Sequence, residues 1–170
     1  MADGTPRIRL GPSCRPVDPT PYLSILEERF GMDPQWFTER YHFFAGGRKY
    51  IYSLARGHSI PRGPEILFSG IKFMRVSMKV PKLTTEAAVA FGFLAARNRV
   101  RLDVADAGRY FAREDITLDA SAAETCTGSG YVLLCVGRVT VGTGYLQAGD
   151  GTLMLRSWFP KHWSEVVAIR

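Results

Sequence analysis

Three short apolar runs in the C-terminal third of the chain constrain its fold most. They cover residues 131–136, 139–146 and 152–156, and short glycine-containing segments separate them. Apolar runs of this length, bounded by glycine, are typical of β-strands. Several such strands in close succession, with few helices between them, favour a small barrel or sandwich.

The residues just before these runs predict a strand and a short helix. Apolar and polar residues alternate from Arg99 to Val104, as in a strand that is exposed on one face. A helix is expected over 105–112, with Tyr110 and Phe111 as its apolar anchors. Residues 117–130 are small and polar, and they predict a mobile loop. Together these elements indicate a mostly β domain over 96–170.

The N-terminal half combines helices with strands. Thr20 is the expected N-cap of a first helix, with Pro21 in its first turn, and Gly31 ends that helix. Asp33 is the expected cap of a second helix that begins at Pro34. Residues 1–19 contain four prolines and are expected to form an extended arm.

A hairpin and a further helix complete this half. Aromatic-rich runs at 41–45 and 49–54 flank Gly46-Gly47, a pair that suits a tight turn. Strands are expected at 66–67 and 71–78. Thr84 or Thr85 then caps an alanine-rich helix, which closes the first domain or bridges to the second. The predicted fold class is an α+β N-terminal domain over 20–95, followed by the mostly β domain.

The charge of the chain favours a polyanionic partner. Lysine and arginine number 22 against 16 aspartate and glutamate, a formal net charge of +6. The alternative is an ordinary soluble protein whose surface happens to be basic.

Basic and aromatic residues interleave near the C-terminus, which is the combination that binds phosphates and stacks on unpaired bases. A second basic group lies at alternate positions around residue 100, and a third, looser group includes Arg75, Lys79 and Lys82. The alternative is that the tryptophans belong to the core and the cations lie outside it. The predicted RNA-binding residues are Arg99, Arg101, Arg113, Arg138, Tyr145, Arg156, Lys161, His162 and Trp163.

The sequence offers little support for catalysis or for a cofactor. The three cysteines show no CxxC spacing, and the histidines have no metal-ligand partner at a suitable spacing. No nucleophile elbow, phosphate loop or paired-carboxylate motif occurs. Gly142 and Gly144 lie within a predicted strand and are expected to permit close backbone approach or a bulge. We therefore expect a non-catalytic protein with no metal and no cofactor.

No signal peptide and no apolar segment of 18 residues is evident in the sequence. A soluble, cytoplasmic protein that does not contact membranes is therefore expected.

The last seventy residues resemble a PUA domain, a compact pseudobarrel found on RNA-modifying and ribosome-assembly proteins. The resemblance lies in the segments "DAGRYFAREDI", "GYVLLCVGRVTVGTGYL" and "LMLRSWFPKHW". The sequence is similar to the C-terminal RNA-binding region of Fmu/Sun-type rRNA cytosine-5 methyltransferases at residues 130–134, 140–144 and 159–161. Upstream, "ILEERFGMDPQWF" and "EILFSGIKFMRV" are also similar to that region. Stand-alone ribosome-biogenesis factors that join an α/β domain to a PUA domain are a second resemblance.

These resemblances imply an RNA-binding role for the PUA domain and a pre-PUA role for the N-terminal domain. Methyl transfer is not implied, because the sequence contains neither an S-adenosylmethionine-binding domain nor the catalytic cysteines. The expected function is binding of structured rRNA or tRNA to assist RNA modification or ribosome biogenesis. The alternative is a protein-interaction module or accessory subunit, with an RNA methyltransferase or ribosome-assembly factor as its partner.

Overall fold

Two five-stranded sheets, one from each half of the chain, form the framework of the computed structural model, which describes residues 14–57, 70–149 and 151–167. The N-terminal sheet is antiparallel with its strands in chain order. Its strands are Cys14–Pro16 (β1), Tyr41–Gly46 (β2), Tyr50–Ala55 (β3), Ile71–Arg75 (β4) and Lys82–Leu83 (β5).

The C-terminal sheet is curled and mixed, with the strand order β6-β8-β9-β10-β7. The first pair, β6 and β8, is parallel, and the other neighbours are antiparallel. Its strands are Arg99–Leu102 (β6), Ile116–Leu118 (β7), Gly130–Val136 (β8), Val139–Gly149 (β9) and Thr152–Ser157 (β10).

Five α-helices lie in the described part of the chain. They are Thr20–Phe30 (α1), Pro34–Arg40 (α2), Thr85–Phe91 (α3), Val104–Phe111 (α4) and Lys161–Val167 (α5). Two short 3₁₀ helices also occur in the described residues, at Gly92–Leu94 after α3 and at Ala120–Ala123 after β7.

The predicted helix signals are confirmed in the N-terminal half, with one correction. Gly31 ends α1 in the left-handed conformation at φ 67°, and the Asp33 carboxylate accepts a hydrogen bond from the Gln35 N–H at 2.8 Å. Thr20 is the first residue of α1 and not its cap, because its side-chain hydroxyl is bonded to Asp18, two residues earlier, and not to the first turn of the helix. The Thr20 N–H and hydroxyl both donate to the Asp18 carboxylate, at 3.0 and 2.7 Å.

The hairpin is confirmed, with Gly47 at φ 63° in the turn between β2 and β3. The strand predicted over 71–78 is shorter and ends at Arg75. Thr84, rather than Thr85, caps α3, because its hydroxyl accepts from the Ala87 N–H at 3.1 Å. The strand predicted at 66–67 and most of the predicted N-terminal arm lie outside the described residues.

In the C-terminal half, the three consecutive strands are confirmed as β8, β9 and β10, and β9 extends to Gly149. Val104 does not continue the alternation of β6. It is 84% exposed and begins α4, because the Asp103 carboxylate caps that helix at the Asp106 N–H. The segment predicted as a polar loop begins within β7, whose buried ends Ile116 and Leu118 pair with β10.

The two sheets bury separate hydrophobic clusters that share one strand. Phe37, Phe73 and Phe91 lie at the centre of the N-terminal cluster, and their rings contact one another edge to face. Along β8, Leu133 enters that cluster, whereas Leu134 enters the C-terminal one. Alternate side chains of a strand point to opposite faces, so β8 forms a wall common to both halves.

Hydrogen bonds at Asn98 and Arg29 join the halves further. Asn98 is fully buried at φ 55°, and its side-chain amide donates to the Arg29 carbonyl and accepts from the Thr127 N–H. The Arg29 guanidinium donates to the Tyr131 carbonyl at 2.8 Å. Arg97, whose side chain donates to the Glu27 and Glu28 carbonyls, caps the C-terminal end of α1. The Arg97 side chain therefore has a structural role at the end of α1.

Candidate nucleic-acid interface

A basic cleft of about 330 Å³ lies between the N-terminal sheet and the start of α5. Among its described lining residues, Glu86 is the one carboxylate, and Tyr50 and Trp158 supply aromatic rings. Such a surface attracts phosphates and also offers faces on which bases can stack. Its basic lining residues are Lys72, Arg75, Lys82, Arg113, Lys161 and His162.

Secondary structure and local contacts hold several of these cations in place. Lys72 and Arg75 lie on β4, and the Lys72 ammonium is 5.7 Å from the centre of the Tyr50 ring. Arg113 follows α4 in the left-handed conformation at φ 66°, and its guanidinium donates to the Phe159 carbonyl. That hydrogen bond ties the end of α4 to the segment between β10 and α5. The cleft therefore depends on both halves of the chain.

Lys82 differs from the other cations because it is buried, with 9% of its surface exposed. Its ammonium lies 4.1 Å from the centre of the Trp158 ring and 6.0 Å from that of Tyr131. It makes no hydrogen bond and no ion pair with any residue that the structure describes. The pKa of Lys82 is lowered to about 8, chiefly by burial and secondarily by the charge of Arg75, with Glu86 partly opposing the shift.

A larger groove of about 660 Å³ adjoins the cleft, and Lys82 lines both. Its walls come from α1, from the segment before β5, and from Tyr131 and Tyr145 on β8 and β9. The rings of Tyr131 and Tyr145 are 5.5 Å apart and nearly perpendicular. We call this region the apolar groove, since most of its lining residues are hydrophobic or aromatic.

The predicted RNA-binding residues are divided among several places. Arg113, Lys161 and His162 line the basic cleft, and Tyr145 lines the apolar groove. Arg156 is exposed on β10, opposite Tyr145, and its guanidinium is 3.9 Å from the Asp115 carboxylate. Trp163 packs on Phe159 in the C-terminal cluster, as the alternative interpretation of the tryptophans expected.

The remaining three, Arg99, Arg101 and Arg138, line a separate depression of about 450 Å³. We call it the arginine depression. Within it, Arg101 forms a 2.7 Å ion pair with Glu124, and the Arg99 guanidinium contacts the Cys135 sulfur at 3.5 Å. Its arginines are thus partly committed to neighbours in the protein.

The prediction of site residues omitted Lys72, Arg75, Lys82 and Trp158. Arg75 and Lys82 belonged to the looser basic group, and Trp158 to the basic–aromatic segment, but their separation in sequence concealed their proximity. Only the folded chain brings Lys82 on β5 onto Trp158, which directly follows β10.

Residues 14–57, 70–149 and 151–167 are the part of the chain to which two negative findings apply. Within those ranges, no three or more histidine, cysteine, aspartate or glutamate side chains form a group suited to holding a metal ion. Nor does any helix there combine the length and apolarity needed to span a membrane.

Comparison with protein-family models matches residues 97–164 to the PUA domain of the methyltransferase RsmF. The match begins just before β6 and ends within α5, so it spans the C-terminal sheet. It confirms the predicted resemblance and, with the curled mixed sheet, the predicted pseudobarrel after an α+β N-terminal part. A search of curated proteins finds no match. RNA is the partner class that a PUA domain indicates.

Proposed function

Because its C-terminal half carries a PUA domain of the RsmF type, we propose that the chain is a non-catalytic protein that binds structured rRNA or tRNA. In this proposal it assists RNA modification or ribosome biogenesis in the cytoplasm. The non-catalytic part of the proposal is supported by the sequence, in which no nucleophile elbow, phosphate loop or paired-carboxylate motif occurs.

The observation that carries the proposal is the composition of the basic cleft. Among the residues that the structure describes, it gathers six basic side chains against one carboxylate, beside Tyr50 and Trp158. Cations neutralise phosphates and release their counterions, while aromatic rings stack on bases irrespective of sequence. The cleft is therefore suited to RNA, and the arginine depression, where Arg101 is paired with Glu124, is less so.

A salt titration tests the proposal directly. We expect binding of a structured rRNA or tRNA fragment to weaken steeply with salt, with a log–log slope of about −0.7 to −0.9 per neutralised phosphate. The slope is measured by fluorescence anisotropy over about 50 to 300 mM KCl, because electrostatic binding to nucleic acid weakens strongly over such a range. Absence of salt-sensitive binding would refute the proposed function.

Two matched double variants locate the interface. Lys72→Ala/Arg75→Ala removes two cations from the cleft, and Arg48→Ala/Lys49→Ala removes two exposed cations from the hairpin turn. We expect the first to weaken binding by about tenfold or more and to reduce the slope by about 1–2. The second variant, which has the same net charge as the first, should change both the affinity and the slope only a little.

Arg99→Ala/Arg138→Ala examines the arginine depression in the same assay. If this variant loses binding while the cleft variant keeps it, the interface lies on the other face of the PUA domain. Circular dichroism spectra matching the parent protein are required of all three variants.

A second candidate function, as a protein-interaction module for an RNA methyltransferase or assembly factor, is favoured by two exposed apolar side chains. Phe93 is 62% and Val104 is 84% exposed. This function would be supported if an RNA methyltransferase or assembly factor stayed bound after nuclease treatment. The capture should then be lost in a Phe93→Ser/Val104→Ser variant. Loss of all partners on nuclease treatment would support RNA binding alone.

A further inference from the structure

Lys82 occupies the boundary between the basic cleft and the apolar groove, and its position suggests what the two pockets bind together. A lysine that is 91% covered normally has an anionic or hydrogen-bonding partner, because an isolated buried charge is costly. Among the described residues, Lys82 has only the faces of Trp158 and Tyr131. Its ammonium is therefore available for an anion that comes from outside the chain.

The carboxylate that lines the same cleft is not the anionic partner of Lys82. Glu86 lines the same cleft but forms no ion pair with Lys82, whereas Arg75 adds a second positive charge beside it. An entering anion would thus meet at least two cations and one weakly opposing carboxylate. A phosphate, which accepts several charge-assisted hydrogen bonds, fits this arrangement.

The other side of Lys82 is suited to a different chemical group. The apolar groove presents Tyr131 and Tyr145 in an edge-to-face pair, and Val80, which is 53% exposed, lines the same groove. A nucleobase has a flat apolar face that stacks on such rings. In a duplex that face is covered by neighbouring bases, so only a nucleotide outside a helix can offer it.

We propose that Lys82 and the two pockets bind one unpaired nucleotide of the RNA, with its phosphate in the basic cleft and its base in the apolar groove. This inference rests on the proposed function and specifies its substrate: RNA with a single-stranded segment, a bulge or an unpaired end. More accessible cations, such as the half-buried Lys72 and the exposed Lys161, contribute to binding of any RNA, whereas Lys82 selects the unpaired nucleotide.

The test compares a hairpin RNA carrying a single-nucleotide bulge with the same hairpin fully paired and closed by a tetraloop. Affinities are measured by anisotropy at one salt concentration. The parent protein is expected to prefer the bulged RNA by about tenfold, the range that stacking of one base on an aromatic ring supplies. Replacing the bulged nucleotide by an abasic one should remove most of that preference.

Variants connect the preference to the site. Lys82→Met keeps an apolar stem on Trp158 but removes the charge, and we expect it to lose most of the preference by weakening binding of the bulged hairpin far more than that of the paired one. Tyr145→Leu should reduce the preference in the same way through the apolar groove. Lys49→Met, which removes the same charge from the exposed hairpin turn, is the matched control and should keep it.

Two results would overturn the inference. One is equal affinity of the parent protein for bulged and paired hairpins. The other is equal loss in Lys82→Met and Lys49→Met, which would mean that only net charge matters. In both cases salt-sensitive RNA binding persists, so failure of this inference is distinct from failure of the proposed function, in which neither hairpin binds.

Discussion

At the scale of single residues, Lys82 shows a conflict between stability and binding. Its stem is buried against Trp158, and its charge has no anionic partner in the described part of the chain. The cation–π contact recovers about 0.5–2 kcal/mol, less than the cost of burying an ammonium group. A residue that destabilises the fold in this way is typical of binding sites, where function opposes stability.

We therefore predict that Lys82→Met stabilises the protein at pH 7. The burial that lowers the pKa of Lys82 from 10.5 to about 8 corresponds to about 3 kcal/mol at most, and loss of the cation–π contact reduces the gain to about 1–3 kcal/mol. Urea denaturation of the parent, Lys82→Met and Lys49→Met measures the difference. A parent protein more stable than Lys82→Met at pH 7 would contradict the prediction.

The pH dependence of that gain follows from the same shift. Because the pKa of Lys82 is lower in the folded state, the unfolded chain binds more protons between pH 8 and 10.5. The stability of the parent, relative to Lys82→Met, should therefore rise with pH across this window. Below about pH 8 both states are protonated and the full penalty remains. The advantage of the variant should be largest there and shrink as the pH approaches 10.5.

At the scale of elements, features that depend on local signals could be predicted from the sequence, whereas contacts between distant residues could not. Asp33 and Gly31 act on backbone groups within a few positions, so their roles can be read locally. β7 escaped prediction because its three residues gain strand character from pairing with β10, about 35 positions away. Lys82 and Trp158 are further apart still, and their contact depends on the packing of both halves. Part of the site was therefore beyond the reach of the sequence pattern.

The packing of α4 against β9 gives a prediction at this scale. A Cβ atom on Gly142 would lie 2.1 Å from the Tyr110 hydroxyl oxygen, which donates to the Thr143 carbonyl at 3.2 Å. This confirms the expectation that the glycine permits close approach. Because Tyr110 is fully buried, its ring has little room to move, and Gly142→Ala should cost about 2–4 kcal/mol through overpacking and a strained hydrogen bond.

Gly149→Ala is the matched control on the same strand. No described atom lies within 4 Å of a Cβ built there, so the same added methyl group should change stability little. Thermal unfolding of both variants measures the contrast. Equal melting temperatures would show that α4 can shift away from β9 without cost.

At the scale of the whole molecule, the contacts between the halves indicate cooperative unfolding. Leu133 on β8 is buried in the N-terminal cluster, and Gly92 after α3 packs on Thr140 of β9. Asn98 adds a hydrogen bond to the Arg29 carbonyl across the same boundary, and its side chain is held on the C-terminal side by the Thr127 N–H. Separation of the halves would expose apolar surface and leave buried polar groups unpaired, both of which are costly.

We predict a single unfolding transition for the whole chain, with Asn98 as one of its determinants. Two variants that keep only Trp36 or only Trp163 report the N-terminal and C-terminal clusters, and their urea transitions should coincide. Asn98→Ala should lower the stability reported by both by about 2–4 kcal/mol, since it loses the amide hydrogen bonds and disfavours φ 55°. Asn98→Gly should lose less, because glycine adopts that φ freely. Two separate transitions, or an effect of Asn98→Ala on one reporter alone, would mean that the halves fold independently and that the basic cleft between them can open.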